Sequence, residues 1–240
     1  MIENLAHRNL FLSALPNKEL SMLQLHLKPV ELRQGEALGE PGELLTQVMF
    51  VESGMISLLT TMQDGSAIES ATLGREAVFG ALAALGSHRI NTRTIVQISG
   101  RALLMRVNDF RSAVERSPML RKLVLLSSEL TLVQVQQIAA CNALHSVEQR
   151  FARWILQVRD RIDSDEIELT HDFVAQMLAV RRPTVSLIAQ ELQSAGLIRY
   201  SRGRIAIVDR DGLERVACEC TEALRIRTRS ILQSLVDGAD

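Results

Sequence analysis

The spacing of hydrophobic and polar positions changes character twice along the 240 residues. Leu20, Leu23 and Leu27 fall about one helical turn apart and predict a short helix over residues 17–26. Across residues 29–108 short apolar runs are split by glycine, at Gly35, Gly39, Gly42, Gly54, Gly65, Gly74, Gly80, Gly86 and Gly100. Residues 47–51, 55–60, 94–98 and 102–107 read as separate strands. Short strands with regular turn signals predict a β-sandwich, barrel or jelly roll. Gln63-Asp64-Gly65-Ser66 lies between two strand-like runs, and Asp-Gly favours the tight turns that join hairpin strands.

Beyond Asn108 no glycine occurs until Gly196, and the period becomes helical. Residues 117–144 predict one long helix. Leu123, Leu130, Gln137 and Leu144 recur every seventh position, with Leu126, Val133 and Ala140 in the companion register. Such a seam predicts a dimerising coiled coil, although a helix packed only on its own domain would show the same stripe. Residues 146–159 predict a second amphipathic helix presenting Phe151, Trp154, Ile155 and Val158, and the acidic residues 160–166 read as a loop.

Thr170 suits a helix N-cap and Asp172 the positive end of the same helix. A short helix over 171–178, a turn at Ala179-Val180 and a helix over 182–194, closed by Gly196, have helix-turn-helix spacing. Pro183 falls in the first turn of the second helix, where its missing N–H is harmless. Ala175 and Ala179 are small where the helices approach, and Val174, Leu178, Val185 and Ile188 point inward. That leaves Arg181, Arg182, Thr184, Ser186 and Gln190 outward at the end that enters a major groove. Arginine offers guanine a bidentate pair of donors there. The following hairpin over 197–208 carries Arg202 and Arg204 in its turn, a wing placed to grip a phosphate backbone.

Composition alone argues differently. Lys and Arg total 27 against 28 Asp and Glu, a formal charge of -1. Residues 1–142 hold thirteen bases and thirteen acids, and residues 143–240 hold fourteen and fifteen. Between residues 181 and 204, however, Arg181, Arg182, Arg199, Arg202 and Arg204 meet only Glu191, a local charge of +4. The basic patch is hidden in a neutral average. No apolar run approaches the ~18 residues of a membrane span, and Met1-Ile2-Glu3-Asn4 lacks the features of a signal peptide. Cys141, Cys218 and Cys220 make too few pairs for a disulfide framework, which fits a reducing cytoplasm and no membrane partner.

In this order of parts the chain resembles bacterial transcription factors of the cyclic-AMP receptor protein/Fnr superfamily. The resemblance is carried by Val147-Glu148-Gln149-Arg150-Phe151-Ala152-Arg153-Trp154-Ile155-Leu156, by Leu169-Thr170-His171-Asp172-Phe173-Val174-Ala175 and by Gly196-Leu197-Ile198. It implies an α+β chain: a double-stranded β-helix (jelly-roll) effector-type domain in residues 1–108, a dimerisation helix in 109–144 and a winged helix-turn-helix in 145–240. It further implies a homodimer on a two-fold-symmetric site in double-stranded promoter DNA, and contact with RNA polymerase.

The departures from the family are specific. Its nucleotide-binding members close a cassette of Gly-Glu-Leu and, about nine residues on, Arg-Ser/Thr over the ribose and cyclic phosphate. Here the stretch reads Gly80-Ala81-Leu82, then Asn91-Thr92. Ala81 and Asn91 replace the two charged ligands, and neutral groups cannot supply a charge-assisted fork. The family's adenine-facing hydroxyls fall near Val135 and Gln136 by ungapped counting. Cyclic AMP in the usual mode is therefore not expected, and the pocket is expected to be closed by Leu82, Ile95 and Val96. Arg89 and Arg93 read as surface residues, or alternatively as ligands in a shifted phosphate loop.

The resemblance also implies base reading by Arg182, while Pro183 and Leu187 stand where the family often has Glu and Arg, so the half-site preference differs. Iron–sulfur members need N-terminal cysteines, and none precedes Cys141. Cys218 and Cys220 on one helix would face about 200° apart and read as incidental. The spacing of His7, His26 and His88 does not suggest haem ligation, and His145 and His171 sit at helix starts. No cofactor or metal is expected. With no His-x-His and no nucleophile–base set, neither is an enzyme.

Overall fold

The computed structural model describes residues 7–236, so the stretch Met1-Ile2-Glu3-Asn4 lies outside the described residues. Helices α1 (Leu10–Ser13) and α2 (Asn17–Gln24) precede six strands: β1 (Lys28–Leu32), β2 (Ala37–Gly39), β3 (Gln47–Thr61), β4 (Ala67–Leu73), β5 (Val78–Phe79) and β6 (Arg93–Arg106). A 3-10 turn, Ala81–Ala84, sits between β5 and β6. All pairings are antiparallel, in the order β1-β6-β3-β4, with β2 on β6 and β5 on β3.

Two strands are twice as long as their glycines suggest. The expected strands at 47–51 and 55–60 form the single β3, and those at 94–98 and 102–107 form most of β6. Gly54 and Gly100 mark a shared irregularity in the β3–β6 ladder and not a turn. Gly54 holds φ +82°, and a Cβ there would lie 2.6 Å from the Ile98 carbonyl oxygen. Only glycine lets the strands bend this closely. Asp64-Gly65 does turn the chain from β3 to β4: Gly65 holds φ +83°, and the Asp64 carboxylate accepts from Ser66 N at 2.9 Å.

Helix α3 (Val107–Arg116) leads into α4 (Pro118–Leu144), whose N-cap Ser117 accepts from Leu120 N at 3.2 Å. One face of α4, with Leu120, Leu123, Val124, Leu130 and Ile138, is buried within the chain. The capping box of Ser146 and Gln149 starts α5 (Val147–Ile162). The acidic stretch expected as a loop is partly helix, since α5 runs to Ile162 before Asp163 caps it in the left-handed region. Strand β7 (Glu166–Glu168), α6 (His171–Leu178), α7 (Arg182–Ser194), β8 (Ile198–Ser201), β9 (Arg204–Ile207), α8 (Arg210–Val216) and α9 (Cys220–Val236) follow.

Three expectations change here. First, the anticipated dimer seam is largely occupied within the chain. Leu123 and Leu130 are buried, and Leu126, Val133 and Gln137 are half-buried, while Ala140 and Leu144 stay exposed. Helix α9 lies antiparallel on α4: Lys122 donates to the Ser234 carbonyl, and Gln137 donates to Cys220 Sγ at 3.1 Å at the other end. Second, α4 is long and apolar enough to cross a membrane by length and composition alone. Its Ser, Thr and Gln residues interrupt the apolar run without adding charge. Third, Cys218 lies outside helix α9, which begins at Cys220, so the two thiols are not held on opposite helix faces.

Two cores join across the chain. The first fills the strand domain and the inner side of α4, with Phe50 and Phe110 edge to face at 6.0 Å. The second runs from Met55, Leu59, Ile95 and Ile98 of the sheet into Phe151, Trp154, Val174, Val185 and Ile205. Polar groups seal that junction. Trp154 Nε1 donates to the buried Glu69 carboxylate at 3.1 Å, and Ser57 Oγ donates to its other oxygen at 2.6 Å. Arg161 of α5 pairs with Glu76 and donates to Thr72 Oγ1 at 2.6 Å.

Candidate DNA-binding face and effector cavity

Thr170 caps α6 as expected from its hydroxyl, accepting from Phe173 N at 3.3 Å. Ala179 ends α6 at φ +52°, and Val180 N donates back to the Ala175 carbonyl at 3.0 Å. This sharp turn sets α7 across α6 with Val174, Leu178, Val185 and Ile188 buried between them. Arg181, Arg182, Pro183 and Gln190 are exposed, and Thr184 is half-buried. Ser186 faces sideways instead of outward: its hydroxyl and His171 Nδ1 share a hydrogen bond of 2.9 Å. The His171 ring stacks on Tyr200 at 4.1 Å. Burial, and then the Arg182 charge, holds the His171 imidazole below its ordinary value. Through this hydrogen bond His171 and Ser186 form an internal brace between α6 and α7. Sequence spacing did not reveal that pair.

The β8–β9 hairpin turns on Arg202 and Gly203, both in the left-handed region at φ +47° and +77°. A two-residue turn of that kind matches strand twist and favours Asn-Gly or Gly-Gly. Arginine at its first position is strained. Arg182 reaches Asp172 at 3.4 Å, and Arg204 reaches Glu168 at 3.0 Å. Both acids flank Thr170, so the helix start and the wing converge on one short segment. These pairs are exposed on both sides, and such pairs contribute about 0–1 kcal/mol. A phosphate can displace either acid at small cost.

The strand domain contains an open cavity of about 410 Å³. Gly80, Ala81, Leu82, Asn91 and Thr92 all line it, together with Arg89 and Leu132 and Val135 of α4. The closed pocket expected from the sequence is not what the structure shows. Leu82 stands at the rim, more than half exposed, while Ile95 and Val96 are buried in the cores and line no part of the cavity. Alternation along β6 sends these neighbours to opposite faces, Val96 into the first core and Ile95 into the second. Arg93 pairs outside with Glu40 at 3.3 Å, and Arg89 donates to the Gly42 carbonyl at 2.5 Å. The hydroxyls from α4 are those of Ser127 and Ser128, about two turns before the positions reached by ungapped counting, and of Thr131, about one turn before them.

Two sequence families match these two parts. The cyclic nucleotide-binding domain matches residues 29–117, and the Crp-like helix-turn-helix domain matches residues 149–216. Together the two matches support a Crp-like transcription regulator of the Crp/Fnr type, with a cyclic nucleotide-binding domain and a helix-turn-helix domain. It is 26% identical over 229 residues to the CRP-like cAMP-activated global transcriptional regulator of Mycobacterium tuberculosis, spanning 90% of this chain and 100% of that one. Its fold is similar to that of FixK2 from Bradyrhizobium japonicum, at a TM-score of 0.68 and 16% identity over 80% of this chain and 98% of that chain. A CRP/FNR-family transcriptional regulator from Thermus thermophilus gives 0.65 at 22% identity, over 79% and 98% of the two chains. This Crp/Fnr-type chain is thus a DNA-binding regulator with a helix-turn-helix and a cyclic nucleotide-binding type of domain. The superfamily is one of transcription regulators, not of enzymes.

Proposed function

We propose that the chain works as a homodimer that binds a two-fold-symmetric promoter site and regulates transcription through contact with RNA polymerase in the cytoplasm. Residues 1–108 form its effector domain, 109–144 its dimerisation helix and 145–240 its DNA-binding domain. The observation that carries this reading is the convergence of Arg182, at the start of α7, and Arg204, in the wing, on the segment around Thr170. Arg202 supports it, because an arginine held at φ +47° keeps a cation at the wing tip despite backbone strain. Thr184 and Gln190 complete the face toward base edges, and Thr170 and Arg204 lie toward phosphates.

Arg182→Ala should weaken specific promoter binding by about 1–3 kcal/mol per half-site and relax selectivity at one base pair. Arg204→Ala should instead weaken all sequences alike and lower the salt slope by about 1 per wing. Fluorescence anisotropy across a salt series reads both. Unchanged affinity in both variants would sink the assignment.

The relative from Mycobacterium tuberculosis is named as cAMP-activated. In this chain Ala81 and Asn91 stand in the cavity where that ligand class needs charge, so a largely apolar effector, bound between the cassette and Ser127, Ser128 and Thr131, is the better-supported reading. A second reading rests on Arg89, whose position in the cavity lining suits an anionic ligand on a shifted loop. Calorimetric titration with cyclic AMP should show no micromolar binding. Micromolar binding lost in Arg89→Ala would select the second reading.

A further inference from the structure

We propose that Cys141, His145, Cys218 and Cys220 form a binding site for a single zinc ion that fastens the C-terminal helix to the end of the long helix. Cys141 lies in the last turn of α4, His145 caps that helix, and Cys218 and Cys220 straddle the start of α9. One donor atom from each lies within 4.8 Å of all the others. Cys141 Sγ and Cys218 Sγ are 3.5 Å apart, and Cys220 Sγ and His145 Nδ1 are 3.6 Å apart. Tetrahedral zinc with bonds of ~2.3 Å to sulfur and ~2.0–2.1 Å to nitrogen places such donors about 3.5–3.8 Å apart. The spacing therefore suits one metal ion, and the three-sulfur, one-imidazole donor set suits zinc.

The surroundings meet the needs of a metal site. His145 Nε2 lies 3.2 Å from the Glu219 carboxylate. That contact keeps the proton on Nε2 and turns the Nδ1 lone pair toward the sulfurs, the usual orienting arrangement for a ligand histidine. Gln137 donates to Cys220 Sγ at 3.1 Å. Zinc with three thiolates carries a charge of −1. Arg150 and Arg153 lie close enough to feel the Cys141 thiol, and the Nε of each is buried without a hydrogen-bond partner. All three thiols are buried, which protects the metal–sulfur bonds from solvent. On binding, three thiols each lose a proton to solvent and the sulfurs share their electron pairs with the zinc ion, with no change of oxidation state.

The site also has a position from which to act. Arg150 Nη1 donates to Asn142 Oδ1 at 2.9 Å and to the Leu178 carbonyl at 3.3 Å, where α6 ends. Metal occupancy therefore braces α4, α9 and the helix-turn-helix at one point.

The full chain, reduced and stripped by a strong chelator, is titrated with zinc(II) against a chromophoric competitor. One tightly bound ion per chain is expected, and cobalt(II) in its place should give thiolate charge-transfer absorption and a tetrahedral visible spectrum. Cys218→Ser should weaken zinc binding more than 100-fold. Glu219→Gln, on an exposed side chain that should not disturb folding, should weaken it by about 10–100-fold through the histidine. Thermal melting should rise with zinc in the parent chain and not in Cys218→Ser. The proposal is overturned by substoichiometric binding, by an octahedral cobalt spectrum, by a Cys218→Ser chain that binds as the parent does, or by mass spectrometry showing a Cys141–Cys218 disulfide in place of metal.

Discussion

Leu132→Asp should yield monomers that release promoter DNA at concentrations where the parent chain is saturated. Leu125 and Leu132 are seven residues apart on α4 and remain 57% and 56% exposed. Ala139 continues the series, with Glu129 and Gln136 between, all exposed. This stripe lies on the side of the helix opposite Leu123, Ser127, Leu130, Gln134 and Cys141, which are buried in the chain's own core. In the proposed homodimer a two-fold axis along the stripe would set each leucine against the partner helix, so one substitution would remove two apolar contacts. Burial of each is worth about 1.5–3 kcal/mol, which makes the loss about 3–6 kcal/mol before the cost of facing aspartates is counted. DNA affinity should fall with the dimer, because the second half-site then no longer binds at high effective concentration. Analytical ultracentrifugation beside a promoter titration checks both. Leu144→Asp, at the exposed end of the seam expected from the heptads, should leave the dimer intact. A Leu132→Asp chain that still sediments as a dimer places the interface elsewhere.

What the sequence made legible follows from which interactions are local. The helix-turn-helix was readable because caps, Pro183, Gly196 and the inward Val and Ile positions all act within about one turn. The exposure of Arg181 and Arg182 at the start of α7 was readable for the same reason, although the direction of Ser186 was not. Its hydroxyl is claimed by His171, fifteen residues away, and nothing in the local spacing announces that bond. Apolar periodicity on α4 was real but mute about its partner, since α9 and a second chain would select the same leucines. Glycines at 54 and 100 look like turn signals from either side alone. Only their pairing across β3 and β6 shows them to be one close approach. The cavity and the cysteine cluster escaped for a related reason. Ser127 and Ala81 line one cavity, and Cys141 meets Cys218, through packing of segments far apart in sequence.

The same long-range packing makes Arg161 the residue whose loss should destabilise the chain most. Arg161 is 6% exposed. Its guanidinium pairs with Glu76, donates to Thr72 Oγ1 at 2.6 Å and contacts Met55 Sδ at 3.1 Å. Gly74 is needed beside it, because a Cβ there would meet the Arg161 side chain at Cδ, 2.5 Å away. Burial pushes the Glu76 carboxyl upward, but the Arg161 charge and its hydrogen bond outweigh this and hold it below the ordinary value of 4.5. Its charged form is therefore a source of stability above pH 4.5, lost as pH falls through the lower folded-state value. Arg161→Met leaves that partly buried carboxylate unpaired and should cost up to about 3–5 kcal/mol in denaturant unfolding at pH 7. Adding Glu76→Leu should recover most of the loss, since an apolar pair of similar volume is often neutral. The single variant should also lose the acid-side decline of the parent, because its Glu76 no longer gains from being ionised. If Arg161→Met unfolds at the parent's denaturant midpoint, the pair does not fasten α5 to the sheet, and the junction rests on its other contacts, among them Trp154 with Glu69 and Gln157 with Thr72.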